Sequence, residues 1–254
     1  MRLKDALRTR EPAVGFWITI GHPTVAEVLT QLDFDFAILE HEHAPNDIET
    51  LANLLRGCET IDGDLDVLVR LAWNDPAVIK RTLDLGVQGV IVPMIETAEG
   101  AREAVAAAKY PPEGRRGVAG SRANAHGLET ESGVAHANEH TIVIAQIETR
   151  NGVENADAIA AVEGLDGVFI GPADLSATVA QYGEWDDAAF EAAVERIVAA
   201  AHDSGTAVGT VGAGESIRSR TQWDVDFIVA GTDISHLRSG GRDAKRTAET
   251  ALKE

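Results

Sequence analysis

Two carboxylates and two imidazoles stand side by side at residues 40–43, in the stretch FAILEHEHAPND, directly after an apolar run. Histidine changes charge near neutral pH, so His43 is a candidate to move a proton during catalysis. The alternative is a histidine that caps a helix or supports a neighbouring residue. Arg70 ends the next apolar run. An arginine there suits two-point capture of a carboxylate, or a salt bridge to Glu40 or Glu148.

Two further carboxylates, Glu148 and Asp174, follow successive apolar runs in the stretches QIET and GPADLS. If these runs are neighbouring parallel strands, the two side chains lie close together at one edge. Paired carboxylates without cysteine suit a hard divalent ion such as Mg²⁺ or Mn²⁺. The alternative is that each residue caps the helix that follows it, as the surroundings of Asp174 would allow.

Covalent catalysis has little support in the sequence. The five lysines, at positions 4, 80, 109, 245 and 253, avoid the ends of the interior apolar runs. A Schiff-base aldolase needs a desolvated lysine in its site, so that mechanism is disfavoured. The chain also has no GxSxG stretch and no Cys–His arrangement. The only cysteine, Cys58, is interpreted as a small residue near a helix end.

The elements that must position these residues alternate along the chain. Short runs rich in Val, Ile and Phe predict parallel strands that are buried on both faces. These strands are predicted at 14–20, 36–39, 65–70, 89–92, 141–147, 167–170, 207–211 and 227–229. Helical patterns lie between them, at 25–32, 48–58, 76–85, 98–108, 152–162, 188–202, 215–223 and 244–252. Residues 110–140 read as one long irregular stretch.

Eight strands and eight helices in 254 residues predict a single (β/α)₈ barrel domain over residues 1–254. An open doubly wound sheet is the competing fold, but the first predicted strand is not followed by a GxGxxG fingerprint. In a barrel, catalytic side chains lie at the carboxyl ends of the strands. The candidate residues all follow apolar runs, and we therefore expect them to meet there.

Charge narrows the possible partners. The chain has 41 acidic and 22 basic side chains, a net charge of −19. A surface this negative repels nucleic acid and anionic membranes, which are excluded as partners. The acidic, lysine-poor composition favours a protein that works in high salt. A run long enough to span a membrane and a signal-like N-terminus are both missing, so we expect a cytoplasmic protein.

Several stretches together resemble one known family. EHEHAPND, VRLAWNDP, GVIVPMIETAEGA, KYPPEGRRGV, AQIETRNGVEN and GVFIGPADLSA are similar to signature blocks of the HpcH/HpaI aldolases. The resemblance runs in order over residues 15–233. It implies a pyruvate-type (β/α)₈ barrel and a class II aldolase that uses Mg²⁺, Mn²⁺ or Co²⁺. Such an enzyme cleaves a 4-hydroxy-2-oxo acid to pyruvate and an aldehyde, and the family suggests a homo-oligomer, a hexamer. Alternatives are a citrate- or malyl-type CoA-ester lyase and a non-catalytic oxo-acid-binding relative.

The resemblance also implies roles for individual residues. Metal ligands match Glu148 and Asp174, the catalytic histidine matches His43, and the arginine that contacts the pyruvate moiety matches Arg70. Asp84 matches a position that in relatives reaches a neighbouring subunit's site. The remaining substrate-binding positions match Trp17, Gln146, Gly171, Pro172, Ala173 and Asp174, with the amides of the last two beside the pyruvate carboxylate.

One motif departs from the family pattern. Relatives usually read Asp-Gly-Glu-His where this chain reads Glu40-His41-Glu42-His43. We expect the longer Glu40 side chain to orient His43, directly or through a water. His41 replaces a hydrogen atom with an imidazole, and we expect it to add bulk beside the substrate.

Overall fold

The computed structural model describes residues 3–60 and 65–253. Eight parallel strands pair in chain order, and the eighth pairs with the first, so the sheet closes into a barrel. The strands are β1 (Ala13–Ile18), β2 (Phe36–Glu40), β3 (Asp66–Arg70), β4 (Gly89–Val92), β5 (Ile142–Ile147), β6 (Gly167–Ile170), β7 (Ala207–Gly212) and β8 (Phe227–Thr232). The predicted (β/α)₈ barrel is confirmed.

Helices cover the outside of the barrel and one end of it. They are α1 (Leu3–Thr9), α2 (Pro23–Leu29), α3 (Ile48–Cys58), α4 (Pro76–Leu83), α5 (Ala98–Ala108), α6 (Thr130–His140), α7 (Arg150–Glu154), α8 (Ala156–Ala160), α9 (Pro172–Val179), α10 (Ala188–Asp203), α11 (Ser216–Thr221) and α12 (Asp233–Ala251). Two short 3₁₀ helices span Thr30–Leu32 and Arg122–Gly127. Helix α1 precedes the barrel, and its apolar residues pack with the barrel interior and close the amino-terminal end.

The strands are apolar on both faces because each face meets a different core. In β2, Phe36 and Ile38 belong to the cluster inside the barrel, whereas Ala37 and Leu39 pack against the helices. Alternation along the strand then directs Glu40 inward at the carboxyl end. The register of this strand therefore sets which side chains of the EHEH stretch can reach the barrel mouth.

Aromatic rings fill much of the barrel interior. Trp17 meets Phe169 edge-on at 5.8 Å between ring centroids, and Phe227 lies 6.1 Å from Phe169 and 6.0 Å from Phe36. Gly15 leaves room for this packing, because a Cβ atom there would lie 2.4 Å from the Phe36 ring. The interior is thus a packed core, and the polar groups are confined to its ends.

All eight predicted strands are present, with end points shifted by no more than three residues. The helices agree less well. The predicted helix 152–162 is two short helices, α7 and α8, and helix α12 begins eleven residues before the predicted start. Helix α9 was not predicted. The expectation of one irregular stretch at 110–140 is wrong, since this segment contains α6 and a 3₁₀ helix, although α6 has no buried residue.

Within the described parts of the chain, none of the helices combines the length and apolar character needed to cross a membrane.

Candidate active site

The carboxyl ends of the strands bring most of the predicted site residues to one mouth. Strand β2 delivers Glu40, β3 delivers Arg70, and β5 delivers Gln146 with Glu148 just beyond it. The loops at this end are tied to the barrel by buried polar side chains. Asp233, for example, accepts hydrogen bonds from the amides of residues 19 and 20 at 3.0 and 2.7 Å. The candidate side chains therefore project from a rigid frame.

Glu40 is the centre of a buried hydrogen-bond network. One of its oxygens accepts from Trp17 Nε1 at 2.8 Å and from Arg70 Nε and Nη2 at 2.9 and 2.5 Å. The other accepts from the backbone amides of Glu42 and His43 at 2.6 and 2.8 Å. Only 2% of Glu40 is exposed. These donors fix the position of the Glu40 carboxylate.

Among the described residues Glu40 makes no direct contact with the His43 imidazole, and orientation of the ring through a water stays a prediction. Glu40 holds the backbone amide of His43, while the imidazole points outward and is 66% exposed. The carboxylate beside that ring is Glu42, with 3.9 Å between Glu42 Oε2 and His43 Nε2. Glu42 was missed as a site residue. Alternation along the extended EHEH stretch could have identified it, because residues 40 and 42 share a face.

Arg70 lies between the two glutamates. Its guanidinium makes the contacts to Glu40 and also approaches Glu42 Oε2 with Nη1 at 3.0 Å. The guanidinium stacks over the Trp17 ring, with Cζ 4.7 Å from the ring centroid. Of the two predicted salt-bridge partners, Glu40 is correct, and the contacts of Glu148 lie elsewhere. Burial raises the pKa of Glu42, while Arg70 acts in the opposite direction.

The side chain of His41 is half-buried, and its expected effect beside the substrate stays a prediction. Its backbone amide continues the strand pairing with the carbonyl of Arg70 at 3.0 Å. Alternation along the chain turns the ring away from the side of Glu40, and the charges that act on it are those of Glu40, Arg81 and Asp47. Burial lowers the pKa of His41.

Glu148 is a buried carboxylate at the end of β5. It accepts hydrogen bonds from the backbone amide of Met94 at 2.9 Å and from Gln146 Nε2 at 2.5 Å. Met94 reaches it from a left-handed backbone conformation, with φ of 55°, which is unusual for a residue with a side chain. Strain of this kind is concentrated at functional sites. Burial raises the pKa of Glu148 to about 7, helped by repulsion from Glu42 and Asp174.

The turn from β6 into α9 passes directly over Glu148. A Cβ atom on Gly171 would lie 2.5 Å from Glu148 Oε2, so only glycine allows this approach. Pro172 starts α9, and Ala173 and Asp174 are exposed in its first turn. The first amides of a helix lack partners within the helix and attract anions. The turn therefore presents amide donors and a carboxylate at the mouth.

Neither Glu148 nor Asp174, the two candidate metal ligands, caps the helix that follows it. Thr149, rather than Glu148, caps α7 with its side chain, and Gly171 occupies the N-cap position of α9. Glu148 instead lies near enough to Glu42 and Asp174 for each to raise its pKa. Gln146 adds a buried oxygen, Oε1, which lacks a hydrogen-bond partner among the described residues.

This donor set fits a hard divalent cation, since it consists of oxygen atoms whose mutual repulsion a cation would relieve. In the described residues 3–60 and 65–253, no group of three or more His, Cys, Asp or Glu side chains is arranged to hold a metal. A bound ion would therefore take its other oxygen ligands from substrate and water, as Mg²⁺ commonly does.

Asp84 lies at the opposite end of the barrel from this chain's own mouth. It follows α4, and its carboxylate accepts a hydrogen bond from Arg116 Nη2 at 2.9 Å. The remaining predicted residues, Trp17, Gln146, Gly171, Pro172, Ala173 and Asp174, all lie at the carboxyl end. Asp84 thus does not join the other candidates within one chain, and a role for it would require a neighbouring subunit.

A closed (β/α)₈ barrel with an arginine and a carboxylate cluster at its carboxyl mouth defines a barrel enzyme that acts on small molecules. The sequence profile of one family, HpcH/HpaI aldolase/citrate lyase, matches residues 13–239. The chain belongs to this family.

Individual relatives cover nearly the whole chain. It is 38% identical over 240 residues to a 5-keto-4-deoxy-D-glucarate aldolase of Klebsiella pneumoniae, covering 94% of this chain and 93% of that protein. It is similar to a crystal structure of an HpcH/HpaI aldolase/citrate lyase family protein from Burkholderia cenocepacia, with a TM-score of 0.92, 34% identity and coverage of 97% and 98%. A citrate synthase, SbnG, gives a TM-score of 0.87, 28% identity and coverage of 100% and 99%.

Proposed function

We propose that the protein is a divalent-metal-dependent class II aldolase that cleaves a 2-keto-3-deoxy acid reversibly to pyruvate and an aldehyde. The family match and the 38% identity to a 5-keto-4-deoxy-D-glucarate aldolase support a carbon–carbon lyase of the aldolase type. The observation that carries the proposal is the mouth itself. There the buried Glu148 and its repelling neighbours Glu42 and Asp174 face the same end as Arg70.

The reaction makes two demands on the site: an enolate must be stabilised and a hydroxyl proton must be moved. Arg70 is the cation nearest the mouth carboxylates, and its fork suits the carboxylate of a 2-oxo acid. The amides of Ala173 and Asp174 would hold the same group from the other side. A Mg²⁺, Mn²⁺ or Co²⁺ ion held by Glu148 and Asp174 would act as a Lewis acid on the 2-oxo group. Gln146 supports Glu148 by a hydrogen bond.

Proton transfer is assigned to His43. Its exposed imidazole is free to reach a substrate hydroxyl, and Glu42 at 3.9 Å is placed to stabilise the protonated ring. Glu40 contributes indirectly, because it fixes the backbone amides of both residues and the guanidinium of Arg70. Trp17 supports Glu40 and forms the apolar floor beneath Arg70.

A CoA-ester lyase is the second candidate, and the citrate synthase with a similar fold keeps it open. Such an enzyme needs cations near its mouth to bind the CoA phosphates. In the sequence, the arginine-rich stretch GRRGVAGSR is the candidate source of such cations. Arg116 of this stretch pairs with Asp84, and Arg122 donates to the carbonyl of Leu85, both at the amino-terminal end of the barrel. This location favours the small-acid aldolase.

We further propose a cytoplasmic homo-oligomer, a hexamer by family resemblance, that is adapted to high salt. Exposed apolar side chains support self-association: Val28 is 55% exposed and Leu237 is 71% exposed. They line one apolar groove between α2 and α12. The net charge of −19 supports the salt adaptation.

A substrate panel tests the proposed activity. Purified protein with Mn²⁺ would be given 5-keto-4-deoxy-D-glucarate or malyl-CoA, and formation of pyruvate from the first or of glyoxylate and acetyl-CoA from the second would be followed. The proposal expects pyruvate from the keto acid and no cleavage of malyl-CoA. The reverse pattern would establish the CoA-ester lyase. Binding of pyruvate by calorimetry without turnover of any 2-keto-3-deoxy acid would instead indicate a binding protein.

A further inference from the structure

Helix α9 carries Asp174 at the mouth, but few of its side chains are buried in the core. Of its eight residues, Pro172, Leu175 and Ser176 are buried. A helix this short has little stability of its own, because most helical stability comes from packing. The amides at the start of α9 and the Asp174 carboxylate therefore depend on further contacts to hold them over Glu148.

Arg150 supplies such a contact at the far end of this helix. Its Nη2 donates to the carbonyls of Thr178 and Val179, the last two residues of α9, at 3.1 and 3.3 Å. The final carbonyls of a helix lack partners within the helix and lie at the negative end of its dipole. A guanidinium there provides both hydrogen-bond donors and the opposite charge. Arg150 therefore holds the last turn of α9 in place.

The segment of chain that carries Arg150 contacts both ends of α9. Arg150 lies two residues after Glu148, and the backbone carbonyl of Glu148 is 3.2 Å from Thr178 Oγ1 in the last turn. The carboxylate of Glu148 lies beneath Gly171, at the start of the helix. A change in the angle of α9 about this segment would therefore change the separation of Glu148 and Asp174.

The short helix that begins at Arg150, α7, is itself fixed on its other side. At its end, Asn155 Nδ2 donates to the carbonyl of Glu96 at 2.9 Å. Within it, a Cβ atom on Gly152 would lie 2.9 Å from the carbonyl oxygen of Ile95. Both contacts are with the loop after β4, which also supplies an amide donor to the carboxylate that follows β5. Helix α7 is thus wedged between this loop and α9, and it gives Arg150 a rigid base.

We propose that Arg150 is a positioning residue that sets the separation of Glu148 and Asp174, and so the affinity of the mouth for a divalent cation. The inference rests on the proposed function and deepens it, because Arg150 acts on the two candidate metal ligands through α9 rather than as a ligand. The competing interpretation is a helix cap that contributes stability alone. The two interpretations differ in what they predict for Mn²⁺ binding.

Calorimetric titration of the metal-free, full-length protein with Mn²⁺ tests the role of Arg150. Arg150→Met keeps an apolar stem but removes the donors and the charge. It should weaken Mn²⁺ binding about tenfold, the lower end of the usual effect of residues that support metal ligands. Arg150→Lys keeps a charged donor at the end of α9 and should recover most of the affinity. Arg102→Met is the matched control, because Arg102 is also exposed and pairs with Glu99 within its own helix.

Urea unfolding of the same variants shows whether each one remains folded during the titration. Weaker Mn²⁺ binding by folded Arg150→Met, with recovery in Arg150→Lys and parent-like binding by Arg102→Met, supports the inference. Parent-like affinity in Arg150→Met, even with a loss of stability, would overturn it and leave Arg150 as a cap. Equal weakening in Arg102→Met would also overturn it.

Failure of the inference can be told apart from failure of the proposed function. A parent protein that binds Mn²⁺ and cleaves the keto acid, together with an unaltered Mn²⁺ affinity in Arg150→Met, refutes the role of Arg150 alone. A parent protein that binds no Mn²⁺ refutes the metal-dependent reaction and the role of Arg150 with it.

Discussion

Replacing Glu148 with glutamine should stabilise the metal-free protein at alkaline pH. Burial holds the pKa of Glu148 at about 7, against an ordinary value of 4.5. The folded state therefore binds this proton more tightly than the unfolded state, and stability falls as pH rises from about 4.5 to about 7. A shift of this size corresponds to about 3 kcal/mol of stability lost by pH 8. Glu148→Gln carries no charge and avoids this loss.

The net gain in the free energy of unfolding should be smaller than the full cost of the buried Glu148 charge. A glutamine can accept from only one of the two donors, Met94 N and Gln146 Nε2, that now serve Glu148. One lost hydrogen bond offsets about 1 kcal/mol. We therefore expect Glu148→Gln to raise the free energy of unfolding at pH 8 by about 2 kcal/mol. At pH 5, where Glu148 is protonated in the folded protein, the gain should vanish.

Urea unfolding in the presence of a chelator measures the free energy of unfolding of the parent and of Glu148→Gln at pH 5 and at pH 8. Glu163→Gln serves as the matched control, since Glu163 is exposed and its substitution should change stability little at either pH. Addition of Mn²⁺ should stabilise the parent protein at pH 8 by mass action and leave Glu148→Gln unaffected. A Glu148→Gln variant that is no more stable than the parent at pH 8 would refute the reasoning.

Three further predictions concern the mouth and the surface. His43→Ala should lower kcat for pyruvate release by roughly 10²–10⁴ with a small change in KM, and an unchanged kcat would assign proton transfer elsewhere. Arg70→Lys keeps the charge but loses the paired N–H donors of the guanidinium, so KM for the keto acid should rise about tenfold or more. An unchanged KM would leave Arg70 with a purely structural role beside Glu40. Removing salt should lower the midpoint of thermal unfolding, because repulsion within a chain of net charge −19 is then unscreened. A midpoint that is independent of KCl would contradict the proposed salt adaptation.

The barrel could be predicted because its strands carry an unambiguous signal. Runs such as Gly89–Val92 and Gly167–Ile170 are apolar throughout, and strands buried on both faces require that pattern. The helices that were missed carry weaker patterns. Helix α6 has the sequence TESGVAHANEH and buries none of its residues, so its sequence has no apolar stripe to detect.

The location of the mouth could also be predicted, since parallel strands place their carboxyl ends together. Side-chain direction was harder to predict. Glu40 was expected to orient the His43 ring, but its oxygens are taken by Arg70, Trp17 and two backbone amides. These partners lie up to 30 residues away along the chain. Only the closed barrel brings these partners to one carboxylate. The sequence around Glu40 therefore does not show which donors compete with the His43 ring for its oxygens.

The most direct test of the central claim is the rate of pyruvate release from 5-keto-4-deoxy-D-glucarate, measured while metal-free protein is titrated with Mn²⁺. The account predicts no activity without metal, a rise that levels off at one bound ion per chain, and loss of both binding and activity in Glu148→Gln. Full activity in the presence of excess chelator, or an unaltered titration in Glu148→Gln, would contradict it.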